Sequence, residues 1–208
     1  MMNTSKEIEY VETHILAALI AIEKSSHFDI RVMITLTDLI QKSSGKVITS
    51  GVGTSGATAK RLAHLLSVTG TPAFYLHPAD GLNGAISAVE DNDIYIVISK
   101  GGESTDLIRC VEIVKHKKTL TVLLTESPES TLGLLVDQVV TLAKISHPAD
   151  PAGMIAMTST LAISLWGDCL CNLLMYRTGY SWDEVLRNHP SGAVGKNGMT
   201  DFAKESNQ

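Results

Sequence analysis

The sequence predicts an α/β protein: a three-layer helix–sheet–helix sandwich around a five-stranded parallel sheet, with N-terminal helices packed on it. Three observations carry this expectation. Short, almost wholly apolar runs recur along the chain, which fits strands buried on both faces. Helical stretches alternate with them, the pattern of parallel strands joined by right-handed crossovers. Of the 208 residues, 44% are hydrophobic and 19% charged, enough to bury a large core and too apolar for a disordered chain.

Residues 6–24 predict a helix, with Ile8, Val11, Ile15, Leu16, Leu19 and Ile22 on one stripe. A second helix over 28–42 uses Ile30, Met33, Ile34, Leu36 and Ile40, and Ser43-Ser44-Gly45 stops it. A strand comes next at 46–50, then a helix at 57–67 and a second strand at 73–76. Residues 93–98 are the clearest strand, being β-branched and apolar. A helix at 106–115, a strand at 120–124 and a shorter one at 138–142 complete the sheet. A long apolar helix runs from Ile155 to Tyr176. The expected organisation is one domain: residues 1–45 as its helical extension, 46–196 as its body and 197–208 as a flexible polar tail.

Composition excludes several classes. The net charge is -5, from 17 basic and 22 acidic side chains, where a nucleic-acid partner calls for a basic surplus. Three cysteines make an odd count, and Cys169 and Cys171 are too close for an ordinary bridge, so a reducing cytoplasm is expected. The polar opening and the charges of Glu9, Glu12 and His14 just after it do not read as a secretory signal. The uncharged run from Met154 to Trp166 is too short to span a bilayer, and Asp168 interrupts the apolar residues beyond it. That helix reads instead as a buried element and a candidate subunit contact, with Asp168 finding its partner across the contact. No histidine pair has the spacing of a zinc helix, so no metal is required.

Two loops carry the chemistry, each leaving a strand and opening a helix. The first is Gly51-Val52-Gly53-Thr54-Ser55-Gly56, which matches the dinucleotide fingerprint G-x-G-x-x-G. That fingerprint needs an acidic residue at the end of the next strand. The next strand ends Tyr75-Leu76-His77-Pro78, so a nicotinamide enzyme ranks second and no cofactor is expected. The other loop is Ser99-Lys100-Gly101-Gly102-Glu103-Ser104-Thr105. Backbone amides at helix starts, small hydroxyls and glycines suit a phosphate. The expected phosphate set is Gly53, Thr54, Ser55, Ser99, Lys100, Gly101, Gly102, Ser104 and Thr105. Glu103 is the single carboxylate inside either loop and the candidate general base. His77 reads as a packing residue at a strand end.

Together these residues resemble the sugar isomerase (SIS) domain family, most closely its arabinose 5-phosphate isomerase branch. The resemblance rests on four markers in order. They are the 51–56 loop, Gly70-Thr71-Pro72-Ala73-Phe74 leading to His77-Pro78-Ala79-Asp80, the Ser99–Ser104 loop, and Asn188-His189-Pro190-Ser191-Gly192-Ala193-Val194-Gly195-Lys196. It implies a SIS-like fold, a phosphorylated monosaccharide as ligand and a homodimer or homotetramer. It also implies aldose–ketose isomerisation through an enediol, with Glu103 moving the proton and His189 assisting from its own or a neighbouring subunit. The chain departs from the branch at Thr54, where a lysine is usual, and at Lys100 and Gly101 in the S-x-S-G run. It departs again at Asn83 and Ala85, where a histidine and an aspartate are usual, and at Ser146–Asp150, where a glutamate is missing. Those losses motivate the alternative of a non-catalytic phosphosugar-binding sensor or regulatory module.

Overall fold

In the computed structural model, which describes residues 4–189, five strands form one sheet in the order β2-β1-β3-β4-β5, every pair parallel. They are β1 (Val47–Gly51), β2 (Ala73–Tyr75), β3 (Ile94–Ile98), β4 (Leu120–Thr125) and β5 (Gln138–Thr141). Every residue of β1 and β3 is buried, which is why β3 reads as an unbroken apolar run, while in β1 the buried Thr49 and Ser50 hydroxyls donate to the Ala59 and Leu76 carbonyls. The predicted tail and the part of the last motif from Pro190 to Lys196 lie outside the described residues.

One face of the sheet is covered by α2 (Ile30–Lys42), α3 (Gly53–Val68) and α7 (Thr158–Thr178). Met33, Leu36, Leu62, Leu66, Trp166 and Leu170 there meet the strand residues Ile96, Ile98, Val122 and Leu124. The other face is covered by α4 (Pro78–Leu82), α5 (Thr105–Val114) and α6 (Thr131–Leu135). Leu107, Val111 and Leu132 pack on Ile48, Tyr95, Val97 and Leu123. These two cores make the three layers that the alternation predicts. The last helix among the described residues, α8 (Trp182–Asn188), carries a capping box between Ser181 and Glu184.

The helix α1 (Thr4–Ser25) lies outermost, against α7. Ala17 and Ala21 face Ile145, Ala149 and Ala162, while of the predicted stripe Ile8, Val11, Ile15, Leu16 and Leu19 are exposed and Ile22 is half-buried. The apolar periodicity of α1 thus marks a surface, and the small residues between mark the buried side. Asp168 departs from expectation in the opposite sense. Its carboxylate takes a two-pronged bond from Arg61 of α3 within the same chain, at 2.7 and 3.1 Å. The expectation of a partner across a subunit contact fails here because sequence alone does not place α3 beside α7. Burial pushes the Cys171 thiol of α7 up to about 11, and Cys110 is buried on the other face. Among the described residues, no helix is long and apolar enough to cross a membrane.

Trp166 is fully buried where α7 meets the sheet. Trp166→Ala is expected to cost about 3–5 kcal/mol in urea unfolding through lost contacts and a residual cavity. A change well under about 1 kcal/mol would mean that α7 does not pack as described.

Candidate functional site

The strand order places the start of the chain's walk at β1, which pairs β2 on one side and β3 on the other. Such a reversal leaves a crevice beyond the carboxyl ends of the two central strands. The helices that begin there come from opposite faces of the sheet, α3 after β1 and α5 after β3.

Only Val52 separates β1 from α3, so Thr54, Ser55 and Gly56 lie in the first helical turn rather than in a loop. The turn is tight: a Cβ on Gly56 would fall 2.7 Å from the Gly51 carbonyl oxygen. Tyr75 of β2 donates its hydroxyl proton to that same oxygen at 2.8 Å and fixes the turn from the side. Gly53, at φ 59, takes a backbone shape that most side chains disfavour.

The second loop is folded on itself. The Ser99 hydroxyl accepts the Gly102 amide at 3.1 Å, and Gly102 stands at φ 68. A Cβ on Gly102 would overlap the Ser130 hydroxyl, so this position requires glycine. Gly101 has open space around its α-carbon, and Ser104 is the N-cap of α5.

A contrast in capping sets these two helices apart from α2, α4, α6 and α8, and from α7, where the N-cap Met157 makes no cap bond but Asp150 takes the amides of Met157 and Ser159. The starts of α2, α4, α6 and α8 are capped by the side chains of Asp29, His77, Ser130 and Ser181. Neither α3, with Val52 at its N-cap, nor α5, with Ser104, makes a side-chain cap bond. Each helix start presents unmatched amides and about half a positive charge. Thr54 and Thr105 are exposed there, and Ser55 and Ser104 are half-buried. Two such ends beside one crevice suit an anion bearing several oxygens. His77, as the cap of α4, has the structural role expected of it. The residue at the end of β2 is not acidic, so the first loop lacks the ribose anchor of a nicotinamide site.

The structure does not bring all the predicted residues to this crevice. Lys100 leaves it. Its ammonium donates to the Asp150 carboxylate at 2.5 Å, to the Gly153 carbonyl at 3.0 Å and to the Ile145 carbonyl at 3.5 Å. Glu103 is exposed, and its carboxylate accepts the Thr131 hydroxyl at 2.7 Å and the Thr131 amide at 2.9 Å. Those bonds hold the Glu103 carboxyl below the ordinary glutamate range. His189 comes directly after α8, and its imidazole meets the Val185 carbonyl at 2.7 Å. Asn188, next to it, bonds Tyr180, whose ring lies against Gly70 just before β2. His189 therefore belongs to the end of the protomer that carries the amino ends of the strands, opposite the two loops. Within one chain it does not join Glu103.

Asp150 and Glu126 form a cluster that sequence reasoning did not assemble. Asp150 is fully buried. One carboxylate oxygen takes Lys100, and the other accepts the Met157 and Ser159 amides at 2.9 and 3.2 Å. Burial opposes its charge, but Lys100 and those amides outweigh burial and hold the carboxyl below its usual range. Glu126 sits just past β4 with its side chain 5% exposed and 3.9 Å from Lys100. One of its oxygens has no hydrogen-bond partner. Burial pushes the Glu126 carboxyl above the ordinary range, Lys100 offsets this only in part, and Asp150 adds to the rise. A Lys beside a serine and two glycines signals an anion site. Its real partners lie 26 and 50 positions onward, beyond any local pattern. Among the described residues, no group of three or more His, Cys, Asp or Glu is placed to hold a metal ion.

Comparison with known proteins shows the family and the fold. The family model of the SIS domain matches residues 39–166. The arabinose 5-phosphate isomerase KdsD of Yersinia pestis is 32% identical over 159 residues, covering 76% of this chain and 48% of that protein. The arabinose 5-phosphate isomerase GutQ of Escherichia coli CFT073 is 31% identical over 180 residues, covering 85% and 56%. The chain thus spans about half the length of the curated relatives it matches. Among solved structures, the c3406 protein of Escherichia coli CFT073, in complex with arabinose 5-phosphate, aligns with a TM-score of 0.85 at 26% identity. That alignment covers 91% of this chain and all of the other. A Listeria monocytogenes protein aligns with a TM-score of 0.86 at 26% identity, over 92% of this chain.

Glu126 makes stability fall with rising pH. Its folded pKa lies above the ordinary value, so its contribution is complete below about pH 4 and is lost as pH rises through the folded pKa. Glu126→Gln is expected to flatten that decline, gaining on the wild type progressively above about pH 5 in urea melts. Parallel pH profiles for the two proteins would contradict the assignment.

Proposed function

The chain belongs to the SIS domain family, and from that membership we propose that it is an aldose–ketose isomerase acting on a sugar phosphate of the arabinose 5-phosphate class. The observation that carries the proposal is the pair of helix starts, α3 and α5, left without side-chain caps on the two central strands. The ester phosphate binds there to the amides and hydroxyls of Gly53, Thr54, Ser55, Ser99, Gly101, Gly102, Ser104 and Thr105. Lys100 is left out of this set because Asp150 already holds its ammonium. The names of the curated relatives supply the substrate class.

Glu103 sits one residue before the α5 N-cap, next to the phosphate cradle. On ligand binding it gives up Thr131 and takes the proton from C2 of the open-chain aldose. The electrons of that C–H bond form the C1–C2 double bond while the C1 carbonyl oxygen gains a proton, which gives the enediol. Return of a proton to C1, with loss of the proton on O2, yields the ketose. His189 serves ring opening or proton transfer in the site of a second copy, since its own site lies at the far end. The exposed apolar stripe of α1 is the natural contact for a homodimer or homotetramer.

A second reading has its own support. The Glu103 carboxyl is bonded to Thr131 and held below its ordinary range, which weakens it as a base. A chain with the same cradle and no working base would be a phosphosugar sensor.

Glu103→Gln is expected to lower the rate of arabinose 5-phosphate isomerisation by about 10²–10⁴-fold. Calorimetry should find its affinity for the same sugar phosphate within roughly threefold of wild type. Turnover at the wild-type rate would rule out Glu103 as the base. Thermal stabilisation of the wild type by sugar phosphates, without exchange of the C2 hydrogen into solvent, would establish the sensor instead.

A further inference from the structure

We propose that Lys100 is a positioning residue: with Asp150 it fastens the phosphate loop to the segment between β5 and α7, and so sets the wall that the reacting end of a bound sugar meets. The proposal rests on the phosphosugar reading above for its consequence in catalysis, though the fastening itself does not.

Lys100 is fixed at both ends. Its carbonyl accepts the Glu126 amide at 3.2 Å and the Thr125 hydroxyl at 3.0 Å, so its backbone is tied to the end of β4. Its ammonium has three protons to donate, and three acceptors meet it: the Asp150 carboxylate and the carbonyls of Gly153 and Ile145. A phosphate would have to displace one of them. Asp150 passes the constraint on. The residue at the N-cap of α7 is Met157, which makes no side-chain cap bond. Asp150 does the capping in its place, through the amides of Met157 and Ser159. A single ion pair therefore links the loop after β3 to the start of a 21-residue helix.

The turn in between depends on this link. Ala152 stands at φ 53 and Gly153 at φ 70, and an alanine in the left-handed region needs its surroundings to hold it. The Lys100 bond to the Gly153 carbonyl is such a hold. The pair is also well shielded, with Lys100 18% and Asp150 0% exposed at the side chain. Loss of Lys100 leaves Asp150 as an uncompensated buried charge, and loss of Asp150 leaves Lys100 facing Glu126 alone, at 3.9 Å. Glu126, which shares the cluster, supplies a second carboxyl. The positively charged member is thus outnumbered, and Lys100 is drawn away from the crevice rather than into it.

The test uses the full chain with Lys100→Met, Asp150→Asn and the double variant, which removes both charges of the pair and leaves the Glu126 carboxyl as the cluster's one remaining ionisable group. Hydrogen exchange of the Met157 and Ser159 amides without ligand should quicken roughly tenfold or more in all three. The double variant should be no worse than either single one, the mark of residues acting as one unit. Orthophosphate, titrated by calorimetry, should bind all three within about threefold of wild type, because the amide cradle is intact. For arabinose 5-phosphate, kcat should fall about tenfold or more with KM changed by less than about threefold. Unchanged amide exchange in Lys100→Met would overturn the fastening. A roughly tenfold loss of orthophosphate affinity in Lys100→Met alone, with Asp150→Asn unchanged or tighter, would make Lys100 a direct phosphate ligand instead. If the wild type binds no phosphosugar, the functional reading fails, and the exchange arm still decides the role of Lys100.

Discussion

Backbone amides without partners, at the starts of α3 and α5, are the constraint on which the rest of this molecule turns. Both helices begin where a fully buried strand ends. A buried parallel sheet dictates that both starts lie on the same end, and the strand order makes them neighbours. Elsewhere the chain supplies caps to its helices, from Asp29, His77, Ser130 and Ser181. Leaving α3 and α5 uncapped costs some stability and leaves two helix N-termini of the kind that favour negative charge.

The cations near that place are engaged elsewhere. Lys100 faces Asp150, and Thr54 is uncharged. The ammonium of Lys60, on α3, lies 5.1 Å from the centre of the Tyr75 ring. Under the proposed function the anion meets a neutral cradle of amides and hydroxyls, beside two helix dipoles. Such a cradle fixes orientation through hydrogen-bond geometry more than through charge. It is compatible with a ligand that must bind, react at its other end and leave.

The sheet was legible in the sequence because burial on both faces erases alternation and leaves runs such as Ile94–Ile98. What the sequence showed of the proposed site was two strand-to-helix turns rich in glycines and hydroxyls, and the fold sets both turns at the carboxyl ends of neighbouring strands. The exact start of α3 was not legible: the residues that look like loop at 53–56 are its first turn, where Gly56 permits close approach to Gly51 and Gly53 takes a positive φ. The short helices α4, α6 and α8, of five to seven residues, are too brief for a periodic pattern to show. Partners remote in sequence were invisible. Asp168 meets Arg61 and not a neighbouring chain, Glu103 meets Thr131, and Lys100 meets Asp150. Each of these is a polar contact whose distance along the chain exceeds any local window, and each decides what a candidate site residue is free to do. His189 illustrates the same limit, since its motif places it in the family pattern while the fold places it at the opposite end of the protomer.

An anion seated between the starts of α3 and α5 can be seen outright in a crystal of the protein soaked with arabinose 5-phosphate. The expected density puts the phosphate within hydrogen-bond reach of the first-turn amides of both helices and of the Ser55 and Ser104 hydroxyls. A phosphate bound at another place, with this crevice empty at saturating ligand, would contradict that seat and the function built on it.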